Sequence, residues 1–347
     1  MDKINNKKLD LILTILSFII PFLIYFITMA PTVSLWDCGE FISTSIILGV
    51  PHPPGTPLYL LIGNFFSQIP LLSDLGARVN LVSPIASALS IMFLYMIIVH
   101  LIKEFINEEK STIYISAFIG ALTFAITDSQ WFNAVEAEVY ALSTFFTAIV
   151  VWLILKWSAN FRNATQIKYL ILISYCIGLA IGIHLLNLLA IPFIALIIFF
   201  KLDNKLKPIP FITLMVTTGT IFLIIYKGLI KGLPSIANKT ADGTILYVFF
   251  AVTIIATIIV NIKLSKNESM IKHVSTIIFT FTLLFITANE LFIEDYKEVL
   301  KTKSQDMQSY VYHLNENQAN VYQKFETASN EEAKTFYYMD IIQNGIK

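Results

Sequence analysis

Residues 167–200 read IKYLILISYCIGLAIGIHLLNLLAIPFIALIIFF, a run of 34 positions in which Lys168 is the one charged side chain. As a single helix the run would stretch to roughly 50 Å, well beyond a hydrocarbon core of about 30 Å. It therefore reads as two membrane passes, 167–183 and 185–200, joined by a turn at His184 with Gly182 and Asn187 beside it. Lys168 flanks one outer end and Lys201, Lys205 and Lys207 the other, which places both ends on the same side of the membrane.

Working outward, further apolar runs at 11–30, 79–101, 112–127, 139–157, 209–227, 244–262 and 273–289 bring the total to about nine spans. The fold class predicted is an all-α polytopic membrane protein. Composition agrees: 56% of residues are hydrophobic and 14% charged, against about 25% charged in a soluble domain. Twenty-four basic and twenty-four acidic residues cancel, and no basic stripe offers a footprint for nucleic acid, so no such partner is expected. Cys38 and Cys176 have neither metal-type spacing nor the numbers for a disulfide framework and read as free thiols. Lys3, Lys7 and Lys8 precede the first run as in a signal peptide, but the stretch from Pro31 to Asp37 is not a small-residue cleavage site, so the run is expected to stay as a span.

Sidedness follows from the lysines and arginines. With the N-terminus cytoplasmic, fourteen basic residues fall in cytoplasmic segments and four in outer loops, namely Arg78, Lys227, Lys231 and Lys239. Counting Pro57–Leu72 as a span would reverse the downstream order and leave seven inside against eleven outside, so this stretch reads as an interfacial helix on the outer surface. The predicted organisation is a transmembrane domain over 1–290, with a first outer loop at 31–78, followed by an extracytoplasmic tail at 291–347. The tail is richer in charges and amides and reads as a helical cap or the start of a larger soluble part.

Ionisable residues at a membrane edge are costly unless they do something, and here they gather on one side. The first outer loop carries Asp37, Glu40, His52 and Arg78, the second carries Glu136 and Glu138 ahead of Tyr140, and His184 sits at the outer turn of the next hairpin. Asp37 and Glu40 at i and i+3 share a helical face, fit to divide base and positioning roles or to hold a metal; equally, Asp37 reads as a helix N-cap. Glu136 and Glu138 read as solvated charge at the start of a span or as site residues; one of them, Glu138, is expected to face inward. His52 is a loop hydrogen-bonder or a ligand, and His184 a satisfied core histidine or a site residue. Arg78 is the one arginine outside the cytoplasm, either an interfacial anchor or a fork for phosphate. No histidine follows Cys38 in a local pattern that would make it a nucleophile, and no P-loop, dinucleotide fingerprint or His-Glu-x-x-His motif occurs.

Five pieces together carry a resemblance: Asp37-x-Gly39-Glu40, His52-Pro53-Pro54-Gly55-x-Pro57-Leu58, Arg78-Val79-Asn80-Leu81, Trp131 with Glu138-Val139-Tyr140, and Gly178-Leu179-x-x-Gly182-x-His184. In that order, over roughly the first 200 residues, they resemble a family of bacterial multi-spanning proteins long catalogued as a domain of unknown function, related to the vertebrate membrane O-mannosyltransferase that modifies plexin-type receptor domains. The resemblance implies a GT-C-like helix bundle in the bacterial cytoplasmic membrane, with an acidic catalytic residue in the first outer loop, where Asp37 is the matching position. It also implies a polyprenyl-phosphate sugar donor. Many bacterial relatives carry a large extracytoplasmic C-terminal region, against which the tail at 291–347 reads as truncated.

The layout fits such a reaction, because nucleotide sugars are cytoplasmic and a transferase on the outer face needs a lipid-linked donor held by membrane lipids and spans. Asp37 would take the proton of an acceptor hydroxyl on an extracytoplasmic protein or glycan, with inversion and with Glu40 beside it. Arg78, His52 or His184 would stabilise the leaving phosphate, while Glu138 and Tyr140 join in binding substrate. No cofactor is firmly implied; the alternative is a divalent cation, magnesium or manganese, on Asp37, Glu40 and His52. The competing functions are a transporter or flippase for lipids or lipid-linked sugars, whose sites lie typically near the bilayer midplane, and a non-catalytic partner protein. The sidedness is open to test: a cysteine introduced at Asn107 should be unreactive to an impermeant thiol reagent applied to the outer face of intact cells, and labelling there would invert the topology.

Overall fold

A computed structural model describes residues 2–34, 36–49, 51–52, 56–106, 110–159, 161, 166–202, 208–224 and 226–228, with Val252 and Ile255 beyond them. Among the described residues every regular element is helical: α1 (Asp2–Thr28), α2 (Cys38–Ile47), α3 (Pro57–Gln68), α4 (Leu75–Asn80), α5 (Val82–Phe105), α6 (Ser111–Ala125), α7 (Asp128–Ala134), α8 (Val139–Ala159), α9 (Ile167–Ile181), α10 (Ala190–Leu202) and α11 (Pro208–Leu223). Three stretches are long and apolar enough to cross a membrane, Asn6–Thr28, Leu75–Phe105 and Val139–Ala159. A fourth is formed if α6 and α7, bent by 69° at their junction, are taken as one broken span. The chain is an integral membrane protein. Of the nine expected spans, 273–289 lies outside the described residues, as does 244–262 apart from Val252 and Ile255, together with the loop at 229–243, Pro53–Gly55 and the tail at 291–347.

The run that decided the fold is broken near its middle, and its two arms, Lys168–Ile181 and Leu185–Lys201, are apolar but shorter than the three membrane-crossing stretches. Gly182–His184 interrupts the helix between α9 and a 3-10 turn at Leu185–Leu189 that leads into α10. α3 has 12 residues, about 18 Å of helix, which is too short to span.

The chain divides into two compact units, with a boundary inside α8 between Ala148 and Ile149 and with Gly182–His184 belonging to the first unit. In the first, α1, α5 and α6 pack on one another around Leu13, Tyr25, Ile91, Tyr95, Val99 and Tyr114. Ala117, Ala121 and Ala125 line one face of α6 at every fourth position and are buried; small side chains in this spacing let helix backbones approach closely where lipid supplies no hydrophobic drive. Polar tips tie the helix ends together. Tyr95 donates to Asp10 Oδ1 at 2.9 Å, Lys103 Nζ to the Tyr114 hydroxyl at 2.7 Å, and Tyr25 to the Ala125 carbonyl at 2.7 Å. In the second unit α10 packs on α11, and the 3-10 turn folds back on α9, where Asn187 Nδ2 donates to the Ala180 carbonyl at 3.2 Å.

Between α1 and α5 the chain builds a small helical layer from α2, α3 and α4, each packed on the other two. Val33, Cys38, Ile42, Val79 and Ala137 form its core. α2 ends at Leu48, whose left-handed backbone turns its N–H back to the Ser45 and Thr44 carbonyls; Asn64 of α3 donates to the Ser45 and Ile46 carbonyls at 2.9 and 3.1 Å, satisfying the same helix end. The α2–α3 contact depends on Gly63, because a Cβ there would lie 2.5 Å from Ser45 Oγ and 2.8 Å from Ser45 Cβ. Gly63→Ala should therefore lower stability in detergent by about 1–3 kcal/mol through overpacking, and adding Ser45→Gly should recover part of the loss. Thermal unfolding of both variants checks this; an unperturbed single variant would show that the two helices separate freely.

Candidate active site

Asp37 occupies the N-cap position of α2, but its backbone is helical (φ −78°, ψ −2°) and its side chain makes no capping hydrogen bond. Of the two readings of this residue, the cap is geometrically unfilled, and the carboxylate stands exposed at the start of the helix. Glu40 lies one turn on and accepts from two donors of His52, the backbone N–H at 2.5 Å and Nδ1 at 2.9 Å. That double hold fixes the ring with Nδ1 as the protonated nitrogen facing Glu40, leaving Nε2 for other chemistry. The hydrogen bond from Glu40 raises the imidazole's pKa above its ordinary value, with Asp37 and Glu138 adding to the effect. Phe41 packs on the His52 ring at 5.8 Å and on Tyr59 at 5.4 Å. Ligand atoms of Asp37, Glu40 and His52 all lie within 4.8 Å of one another.

Both glutamates of the second outer loop are buried, Glu136 at 3% and Glu138 at 5% exposure. The expectation that one alone would face inward assumed regular alternation, whereas residues 135–138 form an irregular segment between α7 and α8 that turns both side chains in. Ser34 donates a hydrogen bond to Glu136 Oε2, and Glu136 Oε1 has no hydrogen-bond partner among the described residues. Burial, reinforced by the negative charges of Asp37 and Glu136, pushes the Glu138 carboxyl up to about 8. Near neutral pH it is protonated, a hydrogen-bond donor rather than an anion.

The remaining expected site residues divide. Tyr140 and His184 are ring neighbours at 5.2 Å; burial lowers the pKa of the His184 imidazole, which is therefore neutral near pH 7. Gly182 ties this turn to α3 by accepting from the Leu58 N–H at 2.9 Å. Arg78 is not brought into the Asp37 group by any of its observed bonds: Nε donates to the Leu72 carbonyl at 2.6 Å, and its two terminal nitrogens to Ser67 at 3.1 Å and Ser73 at 3.4 Å. Three carbonyls of the α3–α4 turn thus hold the guanidinium. Burial pushes the Cys38 thiol up to about 11, in keeping with its exclusion as a nucleophile.

Two residues were given no role from the sequence, although Asn80 stands in one of the motifs quoted above. Tyr59, fully buried, sets its hydroxyl without a hydrogen-bond partner among the described residues and within electrostatic reach of Glu138 and Glu136. Asn80, also fully buried, donates to the Ala30 and Thr32 carbonyls at 2.9 and 2.7 Å and accepts from Cys38 Sγ at 3.7 Å. A buried amide next to an arginine at a membrane edge was the available signal for Asn80; for Tyr59 only its place after the Pro-rich turn was visible.

Residues 37–207 match the family described as the protein O-mannosyl-transferase TMEM260 N-terminal domain. Over this stretch the chain is similar to the TMEM260-type proteins. It is 27% identical over 200 residues to protein O-mannosyl-transferase tmem260 of Dictyostelium discoideum, a match covering 54% of this chain and 23% of that protein. It is 26% identical over 145 residues to protein O-mannosyl-transferase TMEM260 of Mus musculus, covering 42% and 19% respectively. The chain thus spans about a fifth to a quarter of the length of these curated relatives. No solved structure matches it. The TMEM260-type match begins at Asp37 and takes in Glu40, His52, Arg78, Glu138, Tyr140 and His184.

Glu138 makes the pH dependence of stability measurable. Its folded pKa lies above the ordinary value, so its stabilising contribution is complete below about pH 4.5 and lost as pH rises through about 8. Across that window the loss reaches at most about 1.4 kcal/mol per pH unit. Glu138→Gln should flatten the fall, with the variant gaining on the native protein from pH 5 to pH 9 in thermal unfolding. Parallel curves would show that the carboxyl is ionised in the folded state.

Proposed function

We propose that this protein is an integral-membrane sugar transferase that moves mannose or another hexose from a polyprenyl-phosphate donor to a hydroxyl of an extracytoplasmic protein or glycan. The observation that carries the reading is the uncapped, exposed Asp37 carboxylate standing beside the Glu40–His52 pair, on a stretch matching TMEM260-type relatives. The setting proposed with it is a GT-C-like domain over 1–290, with nine spans, a cytoplasmic N-terminus, the site and the segment 291–347 on the outer face, and the bacterial cytoplasmic membrane as its location.

In the reaction the acceptor oxygen attacks C1 of the sugar, forming the new glycosidic bond as the bond from C1 to the phosphate oxygen breaks. Configuration inverts, the electron pair leaves with the phosphate, and the hydroxyl proton passes to Asp37. The leaving phosphate needs charge stabilisation, and three cations or near-cations were candidates. Hydrogen bonds from Arg78 to the carbonyls of Ser67, Leu72 and Ser73 favour a loop-shaping part for it, and burial of His184 favours its neutral form. His52 remains, its pKa raised by the hydrogen bond to Glu40, which favours the charged ring, with Nε2 turned to other use. Glu40 is then a positioning residue. Glu138, protonated, donates to an oxygen of donor or acceptor, and Tyr140 with His184 lines the sugar side.

A second reading puts magnesium or manganese between Asp37, Glu40 and His52. The Nδ1 to Oε2 separation of 2.9 Å favours it, being close to the roughly 3 Å between neighbouring ligands of an octahedral ion with bonds of about 2.1 Å. In that case the imidazole gives up its Nδ1 proton and Asp37 serves as a ligand.

Both readings meet one assay, hexose transfer from polyprenyl-phosphate mannose by the full chain reconstituted in vesicles, with the products read by mass spectrometry against extracts from cells lacking the gene. Asp37→Asn should lower turnover by about 10²–10⁴-fold with insertion and folding intact. A chelator should leave activity unchanged; loss on chelation with recovery on manganese would favour the metal reading. Near-native turnover by Asp37→Asn would remove Asp37 from both.

A further inference from the structure

Trp36 immediately precedes Asp37, with its backbone at φ 59° and its side chain 65% exposed. Positive φ is sterically disfavoured for a bulky side chain. Among the described residues the other non-glycine case is Leu48, and there the reason is local, because Leu48 closes the end of α2. Trp36 ends no helix; α2 begins two residues after it. Glycine would sit at this position at lower cost, yet the chain keeps its largest aromatic side chain there and leaves most of it uncovered. The backbone is pinned on both flanks by buried Val33 and by Cys38, which is bound to Asn80. Strain of this kind persists where the surroundings over-determine it, and it gathers where substrates bind.

We propose that the Trp36 indole is a stacking platform for the sugar ring of the lipid-linked donor. The inference rests on the reading of Asp37 as the base, since that role brings C1 of the sugar next to Asp37. Neighbouring Cα atoms lie about 3.8 Å apart, so an indole one residue away reaches the ring under attack. A hexose offers faces of C–H groups with partial positive charge, which suit the negative face of an aromatic ring. The ring also gains positive charge as the bond to phosphate breaks, which strengthens the same contact. The rival use of an exposed tryptophan at a membrane edge is an interfacial anchor, which would be indifferent to the sugar.

The test compares polyprenyl-phosphate mannose with bare polyprenyl phosphate as ligands of the full chain in nanodiscs, for the native protein, Trp36→Phe and Trp36→Gly. Glycine suits the φ observed, so the variant relieves the backbone and keeps the fold. The native protein should prefer the mannosylated lipid; phenylalanine should keep that preference, and glycine should lose about 10-fold of it with binding of the bare lipid unchanged. A Trp36→Gly protein that retains the full preference overturns the inference and leaves the base assignment, tested separately by Asp37→Asn turnover, standing. Equal weakening of both lipids overturns it in favour of an anchor. A native protein that binds the two lipids equally, or neither, overturns it as well, and binding of neither removes the donor reading too.

Discussion

The Asn80 amide is the interaction on which the outer layer depends. Chain leaving α1 must satisfy its free carbonyls without continuing the helix, and Asn80 reaches back from the end of α4 to take those of Ala30 and Thr32 while accepting from Cys38. One fully buried side chain thereby sets where α2 begins, and so where Asp37 stands. Its position is reinforced from the other side, where the Ala30 N–H donates to the Val135 carbonyl at 2.8 Å and draws the glutamate-bearing segment against the same turn. Buried amides with all partners filled are rigid, and half-filled ones are costly. Removing this one would free two carbonyls and a thiol at once.

Charge in the site is sorted by solvent access. Asp37 is exposed; burial pushes the Glu138 carboxyl up to about 8; the hydrogen bond to Glu40 raises the pKa of the His52 imidazole. Three acidic residues and a histidine close together thus meet three different environments: exposed, buried and hydrogen-bonded. The same sorting explains why Arg78 is spent on carbonyls. A guanidinium with five donors in a rigid fork can satisfy a whole turn of unpaired backbone, something no histidine in this loop can do.

Much of this was legible in the sequence because lipid imposes simple rules. The 167–200 run had to break on length alone, and it breaks at Gly182. The stretch after Thr56 had to stay short of a span, and α3 does. Asp37, Glu40 and His52 were grouped by sidedness before any geometry, and their ligand atoms lie within one small sphere. What could not be read were the partners. Nothing in the pattern separates an arginine that meets phosphate from one that meets carbonyls, since both need a polar edge. Nor does periodicity apply to the irregular segment at 135–138, which buries two glutamates where alternation allows one. The bend between α6 and α7 was also invisible, because Ile126 and Thr127 are ordinary helix residues in composition.

That bend carries a consequence for biogenesis. Where α6 stops, the Ala125 carbonyl would be stranded in an apolar medium, and it is the Tyr25 hydroxyl that receives it into a hydrogen bond; two turns on, Trp131 Nε1 donates to Thr28 Oγ1 at 3.1 Å. Both partners belong to α1, which precedes α6 and α7 in the chain. The nascent chain thus carries its receptor for the bend into the bilayer some hundred residues ahead of the bend itself. The corner between α6 and α7 is thus set against a helix far from it in sequence, and it hangs on one tyrosine of that helix.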